Sequence, residues 1–142
     1  MRVERSITIR RSPADVFAFV TNVENAVKWQ SSTVESRLTS PGPMGPGATI
    51  RHVGRFLGRR IENVVEVYEF TPHRAFAYRT LKGVPVDIRY RCDPDERGTK
   101  FTLVYGGDGG SLLKIAEPLL EAATARLLEG DLIRLKRVLE SQ

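Results

Sequence analysis

The segment from Ser111 to Glu140 constrains the fold most strongly, because it sustains a helical pattern over about eight turns. Its second half repeats leucine every three or four residues, which places those side chains on one side of a helix. These leucines are Leu128, Leu132, Leu135 and Leu139. The sequence therefore predicts one long C-terminal helix over 111–140, capped by Ser111 or Asp108.

The first half of this predicted helix has a different pattern. Its apolar residues point in a direction rotated by roughly a quarter turn from the leucine stripe, at about 100° per residue. They are Leu112, Ile115, Ala116, Leu119 and Ala123. Pro118 lies within this half and removes one helical hydrogen bond, so we expect a bend there. A bent helix with a drifting apolar face suits a curved partner such as a twisted sheet.

Size and composition indicate one globular domain over residues 1–142. Hydrophobic residues make up 41% and charged residues 27%, as in ordinary soluble proteins. No apolar run approaches the roughly 20 residues of a membrane helix, which argues against integral membrane association. The N-terminal residues lack the apolar core of a signal peptide, so we expect a cytoplasmic protein.

The distribution of charge and of metal-ligating residues argues against several classes of function. The net charge is +5, but the arginines are spread along the chain, so we predict no nucleic-acid partner. Two histidines, His52 and His73, and the single Cys92 do not form a metal-ligand cluster. The glycines at 106–110 lack the lysine and spacing of a phosphate-binding loop. We therefore expect neither a metal nor a cofactor.

The remaining chain reads as a run of strands with two short helices after the first. Strands are predicted at 2–10, 32–38, 48–56, 60–70, 74–81, 84–92 and 99–105. Ser12-Pro13 gives a helix start, and a second short helix follows over 23–29. Short connections between the later strands indicate antiparallel neighbours.

One helix about 10–12 Å wide cannot cover such a sheet, so the sheet must curl around it. We expect a partly filled hollow between sheet and helix. Its opening should lie near the Pro41–Gly47 loop, near Trp29 or near the first half of the long helix.

The order of elements and several local motifs resemble a known family. The motifs are Ile7-Thr8-Ile9, Ser12 to Phe17, Asn22 to Trp29, Gly47, Gly58-Arg59-Arg60, Thr71-Pro72-His73-Arg74, Gly98-Thr99-Lys100-Phe101 and Leu132 to Glu140. The chain resembles the polyketide cyclase/dehydrase and lipid-transport family, within the START-like, helix-grip superfamily. That resemblance implies an α+β fold, in which seven antiparallel strands grip the C-terminal helix. It also implies a cavity for lipids, polyketides or other apolar molecules.

Alternation along the strands and helices suggests which side chains border the hollow, although for each one plain packing is the more common role. The candidate ligand-binding residues are Trp29, Phe56, Phe76, Ile88, Phe101, Leu103, Leu120 and Leu127. Trp29 reads first as a core anchor, with a place at the cavity mouth as the alternative. Cys92 alternates with Ile88 and Tyr90, which favours a small core residue over a nucleophile.

For catalysis, His52 is the first candidate acid or base, because it alternates with Ile50 and Phe56 and should face inward. A hydroxyl of Tyr78 or Tyr90 could donate to an oxyanion. The sequence favours a carrier or sensor of a small apolar ligand, because the candidate acid–base group stands alone. The alternative is a cyclase- or dehydrase-like enzyme using that group.

Overall fold

The computed structural model describes residues 1–107 and 115–142. The strands are β1 (Arg2–Ile9), β2 (Thr33–Leu38), β3 (Thr49–Phe56), β4 (Arg59–Thr71), β5 (Ala75–Lys82), β6 (Val86–Asp95) and β7 (Gly98–Gly107). The helices are α1 (Pro13–Thr21), α2 (Ala26–Trp29), which follows a 3-10 turn (Val23–Asn25), and α3 (Glu117–Glu140).

All seven strands form one antiparallel sheet in the order β1-β7-β6-β5-β4-β3-β2. Strands β2 to β7 follow one another as a meander, and β1 returns to pair with β7. The predicted fold class, one antiparallel sheet with a long C-terminal helix and short helices after the first strand, is confirmed.

The sheet curls through irregularities in its central and edge strands. The register between β4 and β5 shifts at Val64/Val65 and again at Val67/Glu69, and β2 shifts against β3 at Thr33/Glu35. Such bulges bend a strand and increase its twist. The β3–β4 hairpin turns through Leu57 and Gly58, which both have positive φ, as the tightest hairpin turns require.

The short helices close one end of the sheet. The Ser12 hydroxyl accepts a hydrogen bond from the Asp15 amide at 3.1 Å, as predicted for the α1 cap. Helix α1 then buries Val16, Phe17 and Val20 against the sheet. The second predicted helix begins as the 3-10 turn and becomes α2 only at Ala26.

The long helix begins later than the sequence suggested. It starts at Glu117, after Ala116, which caps it without a side-chain hydrogen bond. Asp108, Ser111 and Leu112 lie outside the described residues. The expected bend at Pro118 was based on a wrong position, because Pro118 lies in the first turn, where its missing N–H removes no helical bond.

The predicted leucine stripe is confirmed. Leu128, Leu132, Leu135 and Leu139 are each no more than 6% exposed. In the first half, however, the predicted apolar direction is wrong at Leu119, which is 68% exposed. Leu120 and Thr124 are the buried residues there, so this half continues the face of the later stripe. No helix among the described residues is long and apolar enough to cross a membrane.

Candidate ligand-binding cavity

A cavity of about 150 Å³ lies between the concave face of the sheet and the first half of α3. Strands β3 to β7 supply its wall on one side, and α3 supplies it from Leu120 to Asp131 on the other. Trp29 and Gln30, at the end of α2, complete the wall. The interior is therefore incompletely filled, as the width argument predicted.

Many of the residues that alternation predicted to face inward line the cavity. Six of the predicted ligand-binding residues line it: Trp29, Phe56, Ile88, Leu103, Leu120 and Leu127. All three candidate catalytic residues, His52, Tyr78 and Tyr90, line it as well. Whether any of them contacts a ligand or acts chemically stays a prediction.

Phe76 and Phe101 occupy a different place. Both are fully buried, and neither belongs to the cavity wall. Their ring centroids lie 5.7 Å and 5.5 Å from that of Tyr90, so they pack against a residue that does line the cavity. Trp29 is 1% exposed and its centroid lies 5.8 Å from that of Tyr90, so it anchors the core while closing one side of the cavity.

We place the opening by the β3–β4 hairpin and the first half of α3, where the lining residues are more exposed. There the wall includes the exposed Arg55 and the half-buried Phe56 and Leu127. This is one of the three places that we expected. The Pro41–Gly47 loop does not line the cavity, and its Met44 packs against the core.

A chain of hydrogen bonds joins His52 to Tyr90. The Thr33 hydroxyl donates to Oε1 of Gln30 at 2.8 Å, and Nε2 of Gln30 donates to the Tyr90 hydroxyl at 3.1 Å. Nε2 of His52 lies 3.0 Å from the Thr33 oxygen. Because the Thr33 hydrogen points to Gln30, His52 must be the donor to Thr33. The hydrogen of the Tyr90 hydroxyl then points away from Gln30, and the neighbouring Tyr78 oxygen is an acceptor for it.

Burial determines the protonation states of the titratable side chains in the cavity wall. It lowers the pKa of His52, which favours a neutral imidazole. Burial also raises the pKa of Tyr78 and of Tyr105 to about 12. The pKa of Tyr90 is raised well above its usual value, chiefly by burial and then by the neighbouring Tyr78. These tyrosines therefore stay protonated at neutral pH and can donate hydrogen bonds.

Comparison with known families identifies the chain. The model of the family described as "Polyketide cyclase / dehydrase and lipid transport" matches residues 1–140. The protein belongs to this family. A comparison with curated proteins finds no match.

Several solved structures share this fold at low sequence identity. A START superfamily protein from Mycobacterium smegmatis superposes with a TM-score of 0.83 at 14% identity, covering 99% of this chain and 97% of that one. The ZhuI aromatase/cyclase from Streptomyces sp. R1128 gives 0.79 at 19% identity, covering 99% and 93%. BexL, a di-domain aromatase/cyclase from the BE-7585A biosynthetic pathway, gives 0.73 at 17% identity. The match covers 100% of this chain but 50% of BexL. These likenesses establish the fold.

Within this family member, α3 presents two polar residues to the cavity that sequence reasoning missed. Asp131 is 4% exposed, and its Oδ1 accepts hydrogen bonds from the amide and hydroxyl of Ser31, at 3.0 Å and 3.1 Å. Burial raises the pKa of Asp131, although the Ser31 bonds oppose that shift. Thr124 is 2% exposed, and its hydroxyl has no hydrogen-bond partner among the described residues.

Helical spacing could have found both residues. Asp131 follows Leu128 by three positions and precedes Leu135 by four, and Thr124 precedes Leu128 by four. Polar residues within a buried stripe are the informative exceptions to a helical pattern.

Other candidates fall outside the site. Cys92 is fully buried, and burial raises its pKa to about 12, which fits a core residue rather than a nucleophile. Among residues 1–107 and 115–142, no group of three histidine, cysteine or acidic side chains could hold a metal ion.

Proposed function

We propose that the protein reversibly binds a small, largely apolar molecule in this cavity, as a carrier or sensor. The cavity itself is the observation that supports this proposal. A space of about 150 Å³ that side chains do not fill forgoes packing contacts that larger side chains could supply. The wall instead includes the smaller, polar Thr124 at a buried position of the helix, which favours a binding site over plain packing.

The cavity volume limits the enclosed part of the ligand. About 150 Å³ is the size of an apolar cavity that holds one benzene molecule. A ring-sized group therefore fits inside, and a longer molecule must extend through the opening beside Arg55 and Phe56. Burying about 200 Å² of apolar ligand surface gives roughly 5 kcal/mol before the costs of association, so we expect modest affinity.

Two measurements test the proposal. Native mass spectrometry of the protein purified from its own host should reveal a copurified small molecule. Thermal shift assays with toluene, phenol, 2-naphthol, a C16 fatty acid and a sterol should then show stabilisation by ring-containing probes of small size. The proposal fails if no molecule copurifies and no probe raises the melting temperature.

A cyclase-like enzyme is the second candidate, and one observation favours it. The sequence made His52 an isolated acid–base group, whereas hydrogen bonds link it through Thr33 and Gln30 to Tyr90. A ring closure of the aldol type needs a base to remove a proton and a donor to stabilise the oxyanion that forms. His52 and Tyr90 are the residues that could take these roles.

The His52→Gln variant separates the two functions. An enzyme that uses His52 should lose turnover of a poly-β-ketone substrate while its affinity for that substrate stays within a few-fold. A carrier should bind its ligand almost as before, because glutamine can still donate to Thr33. Equal losses of binding and stability would instead assign His52 to the core.

A further inference from the structure

The Thr124 hydroxyl differs from other buried hydroxyls in the protein. Within the described residues it is the buried side-chain polar atom that lacks a hydrogen-bond partner. By contrast, the Thr99 hydroxyl donates to the Arg11 carbonyl at 2.7 Å, and the Thr102 hydroxyl pairs with that of Ser6 at 2.9 Å. A buried hydroxyl without a partner destabilises a fold, so its presence asks for an explanation.

Helical geometry offers Thr124 a partner that it does not use. A threonine inside a helix commonly donates to the carbonyl four residues earlier. Thr21 does so in α1, where its hydroxyl donates to the Phe17 carbonyl at 2.7 Å. The corresponding acceptor for Thr124 would be the Leu120 carbonyl, but the Thr124 hydroxyl does not make this bond, and Thr124 is one of the residues that line the cavity.

We propose that Thr124 is a ligand-binding residue, whose hydroxyl forms a hydrogen bond with a neutral oxygen of a ring-containing ligand. This inference rests on the proposed function and adds the polarity and position of one ligand group. A phenol or alcohol oxygen suits the site, because a threonine hydroxyl can either donate to it or accept from it.

The surroundings of Thr124 favour a neutral group over a carboxylate. Asp131 lies seven residues further along the same helix face, about 10 Å away along the axis, and borders the same cavity. An anionic group beside Thr124 would be repelled by the Asp131 carboxylate, whereas an uncharged oxygen would not.

The experiment compares phenol with toluene, because their hydroxyl and methyl groups are similar in size. Binding is followed by amide chemical-shift titration of wild type, Thr124→Val and Thr124→Ser. Valine keeps the shape of threonine but removes the hydroxyl, whereas serine keeps the hydroxyl. We expect Thr124→Val to lose about 3- to 10-fold in phenol affinity, the value of one neutral hydrogen bond. Its toluene affinity should stay within about twofold, and Thr124→Ser should retain the preference for phenol.

Each other outcome is informative. If Thr124→Val weakens both probes equally, the residue acts through packing, and the inference is overturned. If the variant keeps the wild-type preference for phenol, the hydrogen bond lies elsewhere, and the inference is again overturned. If neither probe shifts the cavity amides of wild type, binding of ring-sized ligands fails, and the proposed function falls together with the inference. Thermal unfolding confirms folding, since Thr124→Val should melt at or above the wild-type temperature.

Discussion

The interior has two unlike halves built on one helix. In the packed half, defined by Phe17, Phe76, Phe101, Leu135 and Leu139, every side chain is at most 4% exposed and belongs to one apolar cluster. In the hollow half, defined by Leu120, Thr124, Tyr78 and Tyr105, the side chains border the cavity. Leu120 is 4% exposed, yet it stands outside the apolar cluster.

The cause of this difference is the helix sequence and the sheet opposite it. The second half of α3 carries leucine at each buried turn, and α1 adds aromatic side chains to the same space. The first half of α3 carries Thr124 where a leucine would continue the stripe, and it faces hydroxyl-bearing rings. Side chains that stabilise the fold by packing thus lie in the packed half. Side chains that could bind a ligand or act in catalysis lie in the hollow half.

The largest expected effect compares truncation in the two halves. Leu135→Ala, in the packed half, should lower the free energy of unfolding by about 2–5 kcal/mol, because it leaves a new cavity among buried neighbours. Leu120→Ala should cost clearly less, because one side of Leu120 already borders empty space. The exposed Leu119→Ala is the control and should change stability by about 0.5 kcal/mol or less. Equal losses for Leu135→Ala and Leu120→Ala in urea denaturation would contradict the division into halves.

The second prediction concerns the replacement of Leu120 and Leu135 by the larger tryptophan. Leu120→Trp should place the indole in the cavity and reduce the affinity for toluene at least tenfold, while the protein remains folded. Leu135→Trp is the matched change in the packed half. It should destabilise the fold by about 1–3 kcal/mol or more, because overpacked cores must shift to accept extra atoms. Circular dichroism and the toluene titration together separate the two effects. A folded Leu120→Trp protein with unchanged affinity would show that toluene binds elsewhere.

The packed half was largely predictable from the sequence, because packing follows periodicity. The leucine stripe, the Ser12 cap and the strand count all depend on local patterns that the structure reproduces. The start of α3 was not predictable in this way, since Pro118 is compatible with either a kink or a first turn. Leu119 was misplaced because Ile115 and Ala116, which precede the helix, were counted in its apolar direction.

The sequence predicted that a hollow exists and which side chains face inward. It did not predict their hydrogen bonds or their depth. Alternation placed His52 and Tyr90 inward, but it could not show that Thr33 and Gln30 connect them, because those contacts join distant parts of the chain. Alternation also cannot rank inward residues by depth. Phe76 faces inward like Tyr78, yet only Tyr78 reaches the cavity, because neighbouring rings cover Phe76.

The smallest expected effect concerns pH and the one histidine of the hollow half. Burial lowers the pKa of His52 below its usual value of 6.5, so the folded protein resists a proton that the unfolded chain accepts. Stability is therefore fully present above about pH 6.5 and falls as the pH drops toward the lowered pKa of His52. Asp131 acts in the opposite direction: burial raises its pKa above 3.8, so its contribution improves as the pH falls toward that value.

His52→Gln isolates the histidine contribution from that of Asp131. The variant should lose the decline in the free energy of unfolding between about pH 7 and pH 5, measured by urea denaturation at each pH, while any acid-side gain from Asp131 remains. His73→Gln is the control, because His73 lies in an exposed turn away from the cavity. The His73→Gln variant should leave the decline in place, even where it shifts the whole curve. A His52→Gln curve parallel to wild type would mean that His52 takes up its proton as readily in the folded protein as in the unfolded chain. The wall of the hollow half would then be wetter than its contacts indicate, and His52 would keep an ordinary imidazole pKa, which still suits a general base.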